Sequence, residues 1–135
     1  MASAYKVVLG FETMETPFMD TCAKAMEYVQ KIDSPYLAVY PDIGNLTNAA
    51  KLYHTDVLAD LETGRGHIAA MHLKETIPGH YREILFGEGH VDFQAAIETA
   101  MSMGVRSYTA EFWYLDGRDW RADMKFNNQF LRGKF

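Results

Sequence analysis

The chain has 135 residues, a formal net charge of -5 and a pI near 5.5, with 48% hydrophobic and 23% charged residues. This length fits one domain, residues 1–135, and the acidic balance argues against nucleic acid or an anionic membrane as a partner. No apolar run approaches the roughly 20 residues of a membrane span. The single cysteine, Cys22, cannot form an internal disulfide and is expected to be buried, so a cytoplasmic location is predicted.

Short apolar segments alternate with longer amphipathic ones along the chain. The predicted strands are residues 7–12, 36–42, 67–74 and 107–115, and the predicted helices are residues 17–32, 46–64, 91–104 and 117–135. Gly64 is the expected end of the second helix. Four successive strand–helix units with almost continuously apolar strands predict a parallel sheet with helices outside it.

Each predicted strand carries an ionisable residue near its C-terminal end. These residues are Glu12, Asp42, His72 and Glu111. Parallel α/β proteins build their sites where these strand ends meet. Because alternate residues of a strand share a face, Glu12 is expected to share a face with Gly10, and His72 with Ala70 and Ile68. The spacing therefore predicts that the four groups converge on one face of the sheet or on a barrel axis.

Three carboxylates and one imidazole cannot share a dry site without compensation, because burying bare charge costs many kcal/mol. A divalent cation removes this conflict. Ligation by several oxygens and one nitrogen suits Mn²⁺, Mg²⁺, Co²⁺ or Zn²⁺, and the sequence leaves the choice among them open. Any one of these residues alone is more often a satisfied polar group, and it is their repetition at four strand ends that favours a metal site.

Five segments occur in a characteristic order: GFETMETPFMD, YPDIGNLTN, GHIAAMHLKET, FGEGHVDF and YTAEFW. With them the chain resembles, over essentially its whole length, the C-terminal half of the L-ribulose-5-phosphate (L-xylulose-5-phosphate) 3-epimerases, also called hexulose-6-phosphate isomerases. These enzymes are xylose-isomerase-like TIM barrels. The resemblance implies an α/β fold of four parallel βα units that correspond to the fifth to eighth strands of a (β/α)8 barrel.

The resemblance also implies a divalent-metal-dependent sugar-phosphate epimerase or isomerase. Its implied metal ligands are Glu12, Asp42, His72 and Glu111. Glu12 and Glu111 would also be catalytic, one removing the proton beside the sugar carbonyl to give a metal-stabilised enediolate and the other returning a proton on the opposite face. Epimerases of free ketoses carry a histidine and an arginine where this chain has Asn45 and Pro78, which favours a phosphorylated substrate.

Two sets of residues are candidates for binding the substrate phosphate. TIM barrels often bind phosphate with loop backbone N–H groups before a helix, which points to Gly87 and Gly89. The alternative is that these glycines only permit a tight turn. Lys74 and Arg82 are candidate anion partners, although basic side chains usually face solvent.

A complete barrel has eight strands and typically about 250 residues, and this chain supplies four strands. The N-terminal half is expected to be missing, with MASAYKV resembling the middle of a longer sequence that begins at an internal methionine. Unpaired strand edges and an open apolar inner face favour association, so a homodimer that completes one barrel is expected. The alternatives are a separately encoded N-terminal partner chain and a truncated chain that packs differently.

Two other functions compete with the epimerase. The first is a catalytically silent barrel fragment that binds metal or self-associates. The second, a metal-dependent DNA-repair endonuclease of the same barrel class, is disfavoured because such sites need more histidine ligands and a basic surface, and the chain has a net charge of -5.

Overall fold

The structure, a computed structural model, describes residues 1–135 as short strands alternating with helices. The strands are β1 (Leu9–Glu12), β2 (Leu37–Tyr40), β3 (Met71–Lys74) and β4 (Tyr108–Glu111). The helices are α1 (Ala2–Tyr5), α2 (Cys22–Ile32), α3 (Ile43–Tyr53), α4 (Val57–Thr63), α5 (Phe93–Ser102) and α6 (Trp120–Arg132). None of the helices combines the length and the apolar character that crossing a membrane requires.

The four strands run parallel in the order of the sequence. β1 pairs with β2 and β3 pairs with β4, both in parallel. Parallel bridges from Val39 to Ile68 and from Asp42 to His72 join the two pairs. The His72 N–H donates to the Pro41 carbonyl at 2.8 Å. This arrangement confirms the predicted four parallel βα units, and β1 and β4 each keep one edge without a neighbouring strand.

The segment that leads into β3 contains a bulge. Between the two bridges the second strand advances three residues, from Val39 to Asp42, whereas the third advances four, from Ile68 to His72. One extra residue moves the side chains that precede it to the opposite face of the sheet. Ile68 accordingly packs against the hydrophobic core, whereas His72 points to the opposite face. The prediction that Ile68 and His72 share a face is wrong, because simple alternation holds only without a bulge.

The helix predicted over residues 46–64 is two helices. The first, α3, begins directly after Asp42, whose side chain accepts a hydrogen bond from the Asn45 N–H at 2.8 Å. It ends at His54, which has a left-handed φ of 55°. Asp56 then caps α4. The apolar period continues across the break, and a left-handed conformation at one non-glycine residue does not change that period, so the sequence pattern does not indicate where the helix ends.

The helix predicted from residue 17 begins at Cys22. Thr21 caps it, and the Asp60 carboxylate of α4 accepts hydrogen bonds from the N–H groups of Cys22 at 2.8 Å and Ala23 at 3.1 Å. The cap from a neighbouring helix fixes α2 against α4. Cys22 is completely buried, as predicted, and this burial raises the pKa of its thiol well above the usual value.

The two faces of the sheet differ in chemistry. On one face Val39, Met71 and Leu73 are at most 1% exposed and contribute to one hydrophobic core shared with the helices. On the other face the Tyr40 and Thr109 hydroxyl groups lie 2.8 Å apart. The prediction of an apolar inner face is wrong near the C-terminal strand ends. The side chains that point away from the helices there carry hydroxyl, imidazole and carboxylate groups.

Candidate metal centre

The four residues selected by their positions at the strand ends come together in the structure. One potential ligand atom from each of Glu12, Asp42, His72 and Glu111 lies within 4.8 Å of all the others. His72 Nδ1 is 2.8 Å from Glu12 Oε1, 3.1 Å from Glu111 Oε2 and 3.9 Å from Asp42 Oδ2. Metal–ligand bonds of roughly 2.1 Å place opposite ligand atoms about 4.2 Å apart, so the cluster is of the right size for one divalent cation.

The Asp42 carboxylate is the most deeply buried member of the cluster. The residue is completely inaccessible to solvent, and its Oδ1 accepts the hydrogen bond that caps α3. Its Oδ2 has no hydrogen-bond partner, and Lys74 Nζ lies 3.3 Å away. Burial raises the pKa of this carboxyl to about 7, against the opposing effect of Lys74. A buried carboxylate oxygen that accepts no hydrogen bond and lies close to three other potential ligand atoms fits the binding of a cation.

The protonation of the cluster is set by its mutual contacts. Hydrogen bonding to His72, with help from Lys74, lowers the pKa of Glu111 to about 2. The same contact raises the pKa of His72, and the charges of Glu12 and Asp42 raise it further. A proton on His72 would balance part of the negative charge. Because a histidine that binds a metal is a neutral imidazole, a cation held here would take the place of such a proton.

Lys74, predicted as a candidate anion partner, belongs to the same cluster, and the alternative of a solvent-facing side chain does not agree with its burial. The residue is 2% exposed, and its Nζ lies 3.5 Å from Glu111 Oε1 as well as 3.3 Å from Asp42 Oδ2. Lys74 follows His72 by two residues in β3, so it shares the face of His72. The alternation of side chains along β3, which predicts that His72 faces the site, therefore also predicts that Lys74 faces it.

Gly87 and Gly89 are arranged around a carboxylate of the chain itself. The buried Glu75 accepts hydrogen bonds from the N–H groups of Thr76 at 3.1 Å, Gly87 at 2.9 Å and Val91 at 3.1 Å. Gly87 has a φ of +87°, and a side chain on Gly89 would collide with Glu75. The prediction that Gly87 N–H binds a phosphate does not agree with this geometry, because the donor already has a partner. The tight-turn alternative agrees with it.

Comparison with known proteins places the chain in a family. Residues 1–132 match the family model described as xylose isomerase-like TIM barrel. The chain belongs to this family. It is 38% identical to the L-ribulose-5-phosphate 3-epimerase UlaE of Escherichia coli, with 99% of this chain and 46% of that protein covered. The resemblance stated from the sequence is confirmed, and the chain spans about half the length of the curated relatives it matches.

Solved structures give the same picture of the fold. The 3-keto-D-glucoside 4-epimerase YcjR from E. coli superimposes with a TM-score of 0.76 at 17% identity, covering 98% of this chain and 48% of that chain. A D-tagatose 3-epimerase-like protein gives a TM-score of 0.75 at 21% identity, covering 98% of this chain and 50% of that chain. At these identities the structures establish the fold alone, and their coverage confirms that the chain forms half of a barrel.

Addition of Mn²⁺ to metal-free protein is expected to raise the midpoint of thermal unfolding. A ligand that binds only the folded state stabilises it by about 2.7 kcal/mol at 100 times its dissociation constant. Asp42→Asn keeps an oxygen to cap α3 but removes the buried charge, so this variant is expected to lose most of the increase. Thermal unfolding followed with Mn²⁺, Mg²⁺, Co²⁺ and Zn²⁺ in turn also ranks the metals.

The matched control is Glu62→Gln, which removes an exposed carboxylate paired with Arg65 on another part of the surface. It is expected to keep the full increase in the unfolding midpoint. Equal increases in Asp42→Asn and Glu62→Gln would contradict a metal centre at Asp42.

Proposed function

We propose that this chain is the C-terminal half of a divalent-metal-dependent sugar-phosphate epimerase or isomerase. The observation that carries the proposal is the convergence of four potential ligand atoms within 4.8 Å in a chain 38% identical to an L-ribulose-5-phosphate 3-epimerase. In this proposal the metal ligands are Glu12, Asp42, His72 and Glu111. The substrate is a ketose phosphate, and the ion is Mn²⁺, Mg²⁺, Co²⁺ or Zn²⁺.

The roles within the cluster follow from its accessibility. The Asp42 side chain is 0% exposed and that of His72 17%, whereas those of Glu111 and Glu12 are 27% and 39% exposed. The glutamates are therefore the carboxylates that a substrate can reach, and Asp42 can act only on a bound ion. Glu12 ends β1 and Glu111 ends β4, so the two carboxylates approach His72 from the outer strands on either side.

This arrangement supports inversion at a carbon by two bases. One glutamate accepts the proton from the carbon beside the carbonyl, and the other donates a proton to the opposite face of the same carbon. A bound divalent cation supplies Lewis acidity that makes this C–H bond more acidic. The direction of the reaction decides whether Glu12 or Glu111 acts as the base.

Asn45, the residue that favours a phosphorylated substrate in the sequence comparison, is buried beside Asp42. It is 2% exposed, its N–H donates to Asp42 and its Nδ2 donates to the Thr13 carbonyl at 2.8 Å. This position, where epimerases of free ketoses carry a histidine, is therefore used to hold Asp42 and the end of β1.

A catalytically silent fragment that binds metal or self-associates is the second candidate. It is favoured by the coverage of only 46% of the relative and by the free edges of β1 and β4. Elements outside this chain can contribute to the substrate site of a whole barrel. Binding of metal without turnover is the outcome that this candidate predicts.

The catalytic roles are tested by proton exchange and epimerisation. The Mn²⁺-loaded chain in deuterium oxide is expected to incorporate deuterium at C3 of L-ribulose 5-phosphate and to form its epimer. Glu12→Gln and Glu111→Gln are each expected to slow exchange by about 10²–10⁴-fold, the size of a general acid–base contribution. NMR of the substrate measures both processes, and Mn²⁺ binding to each variant is measured separately.

Glu27→Gln is the matched control, because Glu27 is exposed on α2 and away from the cluster. It is expected to retain the exchange rate of the unsubstituted chain. Metal binding without any exchange would contradict catalysis by this chain and favour the silent fragment.

We also propose that a second copy of the chain completes the barrel. Val8 and Leu9, at the start of β1, are 52% and 54% exposed, and the edge of β1 opposite β2 has no neighbouring strand. Exposed apolar strand edges of this kind pair readily with other strands.

At micromolar concentration the molar mass from light scattering is expected to be twice the 15.4 kDa of one chain. Val8→Lys is expected to favour the monomer, because the lysine would be buried without a partner at the new strand pair.

Leu52→Lys is the control for the dimer, since Leu52 is 60% exposed on α3 and lies away from both free edges. It is expected to leave the molar mass unchanged. A folded monomer of the unsubstituted chain would contradict the homodimer and point to a separate partner chain.

A further inference from the structure

A second charged cluster adjoins the candidate metal centre. Glu15 Oε1 lies 2.9 Å from Arg82 Nε and 3.9 Å from Lys74 Nζ. Both cations lie near the ring of Trp113, with Lys74 Nζ 5.5 Å and Arg82 Cζ 5.9 Å from the ring centroid. One anionic oxygen is therefore held between an ammonium and a guanidinium beside an indole face.

Lys74 connects this cluster with the metal centre. Its side chain is 3% exposed, and its Nζ contacts Asp42 and Glu111 on one side and Glu15 on the other. Arg82 lies further out, with 60% of its side chain exposed. The positive charges thus extend from the buried centre to the surface.

The charges of the two clusters balance separately. A divalent cation and Lys74 together compensate the three carboxylates of the metal centre. The opposite charges of Arg82 and Glu15 then cancel each other. Removing the Glu15 carboxylate from between the two cations would leave one positive charge uncompensated, which suits an arriving anion better than a neutral group.

The loop that carries Arg82 is held in place independently of a ligand. Glu75 binds N–H groups at both ends of this loop, at Thr76 and Val91. It also accepts a hydrogen bond from the Gly87 N–H, so this backbone donor is used within the chain. The side chains of Lys74 and Arg82 are charged donors for an anion beside the metal centre.

We propose that Lys74 and Arg82 form a subsite for the phosphate of the substrate, and that the Glu15 carboxylate occupies this subsite until a phosphate displaces it. The part of this inference that concerns a ketose phosphate rests on the proposed function. Arg82 is suited to donate two hydrogen bonds to one phosphate, and Lys74 supplies a point charge next to the metal centre. Glu15 is an internal competitor that any anion must displace from Lys74 and Arg82.

The subsite is tested by titrating inorganic phosphate and following the fluorescence of Trp113. The chain contains two tryptophans, so Trp120→Phe leaves Trp113 as the sole indole reporter. In this background Glu15→Gln is expected to bind phosphate about tenfold more tightly, because one charge-assisted hydrogen bond no longer has to be broken. Arg82→Gln is expected to bind it about tenfold more weakly.

Glu62→Gln and Arg65→Gln are the matched controls, because they break an exposed carboxylate–guanidinium pair on another part of the surface. They change the net charge by the same amounts and are expected to leave the affinity for phosphate unchanged. Unchanged or weaker binding by Glu15→Gln, no effect of Arg82→Gln, or no binding of phosphate by any variant would overturn the subsite.

L-ribulose 5-phosphate and L-ribulose distinguish a substrate phosphate from free phosphate. Arg82→Gln is expected to weaken binding of the phosphorylated sugar about tenfold and to leave binding of the free sugar unchanged. Equal weakening for both sugars would overturn the assignment to the substrate phosphate. Phosphate binding that depends on Arg82, without epimerisation, would support the subsite and contradict the proposed function. Epimerisation that is insensitive to Arg82→Gln would support the proposed function and contradict the subsite.

Discussion

The buried carboxylate of Asp42 is the constraint around which this half-barrel is arranged. One of its oxygens caps α3 through the Asn45 N–H, and the other faces the cluster without a hydrogen bond. A buried carboxylate needs hydrogen-bond donors or positive charge around it, because an uncompensated ion costs several kcal/mol. Lys74 and His72 supply that charge from β3, and a divalent cation would add to it. The residue that begins a helix therefore also determines what can bind at the strand ends.

Accessibility increases outward from Asp42, and the proposed chemistry follows this order. The inaccessible aspartate can only hold an ion, the partly exposed Glu12 and Glu111 can exchange protons with a substrate, and Arg82 at the surface can bind the phosphate. Lys74 lies between the proton-exchanging glutamates and Arg82, and it contacts the carboxylates of Glu111 and Glu15. Parallel strands make this order possible, because their C-terminal ends present side chains at one level while the loops that follow extend above it.

The element types and the four convergent residues could be predicted, because apolar strands and their polar ends leave a regular pattern in the sequence. The bulge between Ile68 and His72 could not, since a bulge depends on how two strands pair. The break at His54 interrupts a helix without changing the apolar period. The position of Lys74 on the face of His72 could be predicted from the sequence of β3. Its burial could not, because it depends on Asp42 and Glu111 from two other segments. The use of Gly87 N–H by Glu75 depends on closure of a long loop.

The free edges of β1 and β4 connect the site with assembly, because a chain that covers 46% of a relative brings four potential ligands together in an incomplete barrel. Anomalous diffraction from crystals of the chain grown with Mn²⁺ tests most directly whether the cluster binds one ion. The predicted result is a single manganese peak bonded to Glu12, Asp42, His72 and Glu111, with Asp42 Oδ2 as a ligand. Manganese bound only elsewhere, or no peak at this cluster, would contradict the metal centre.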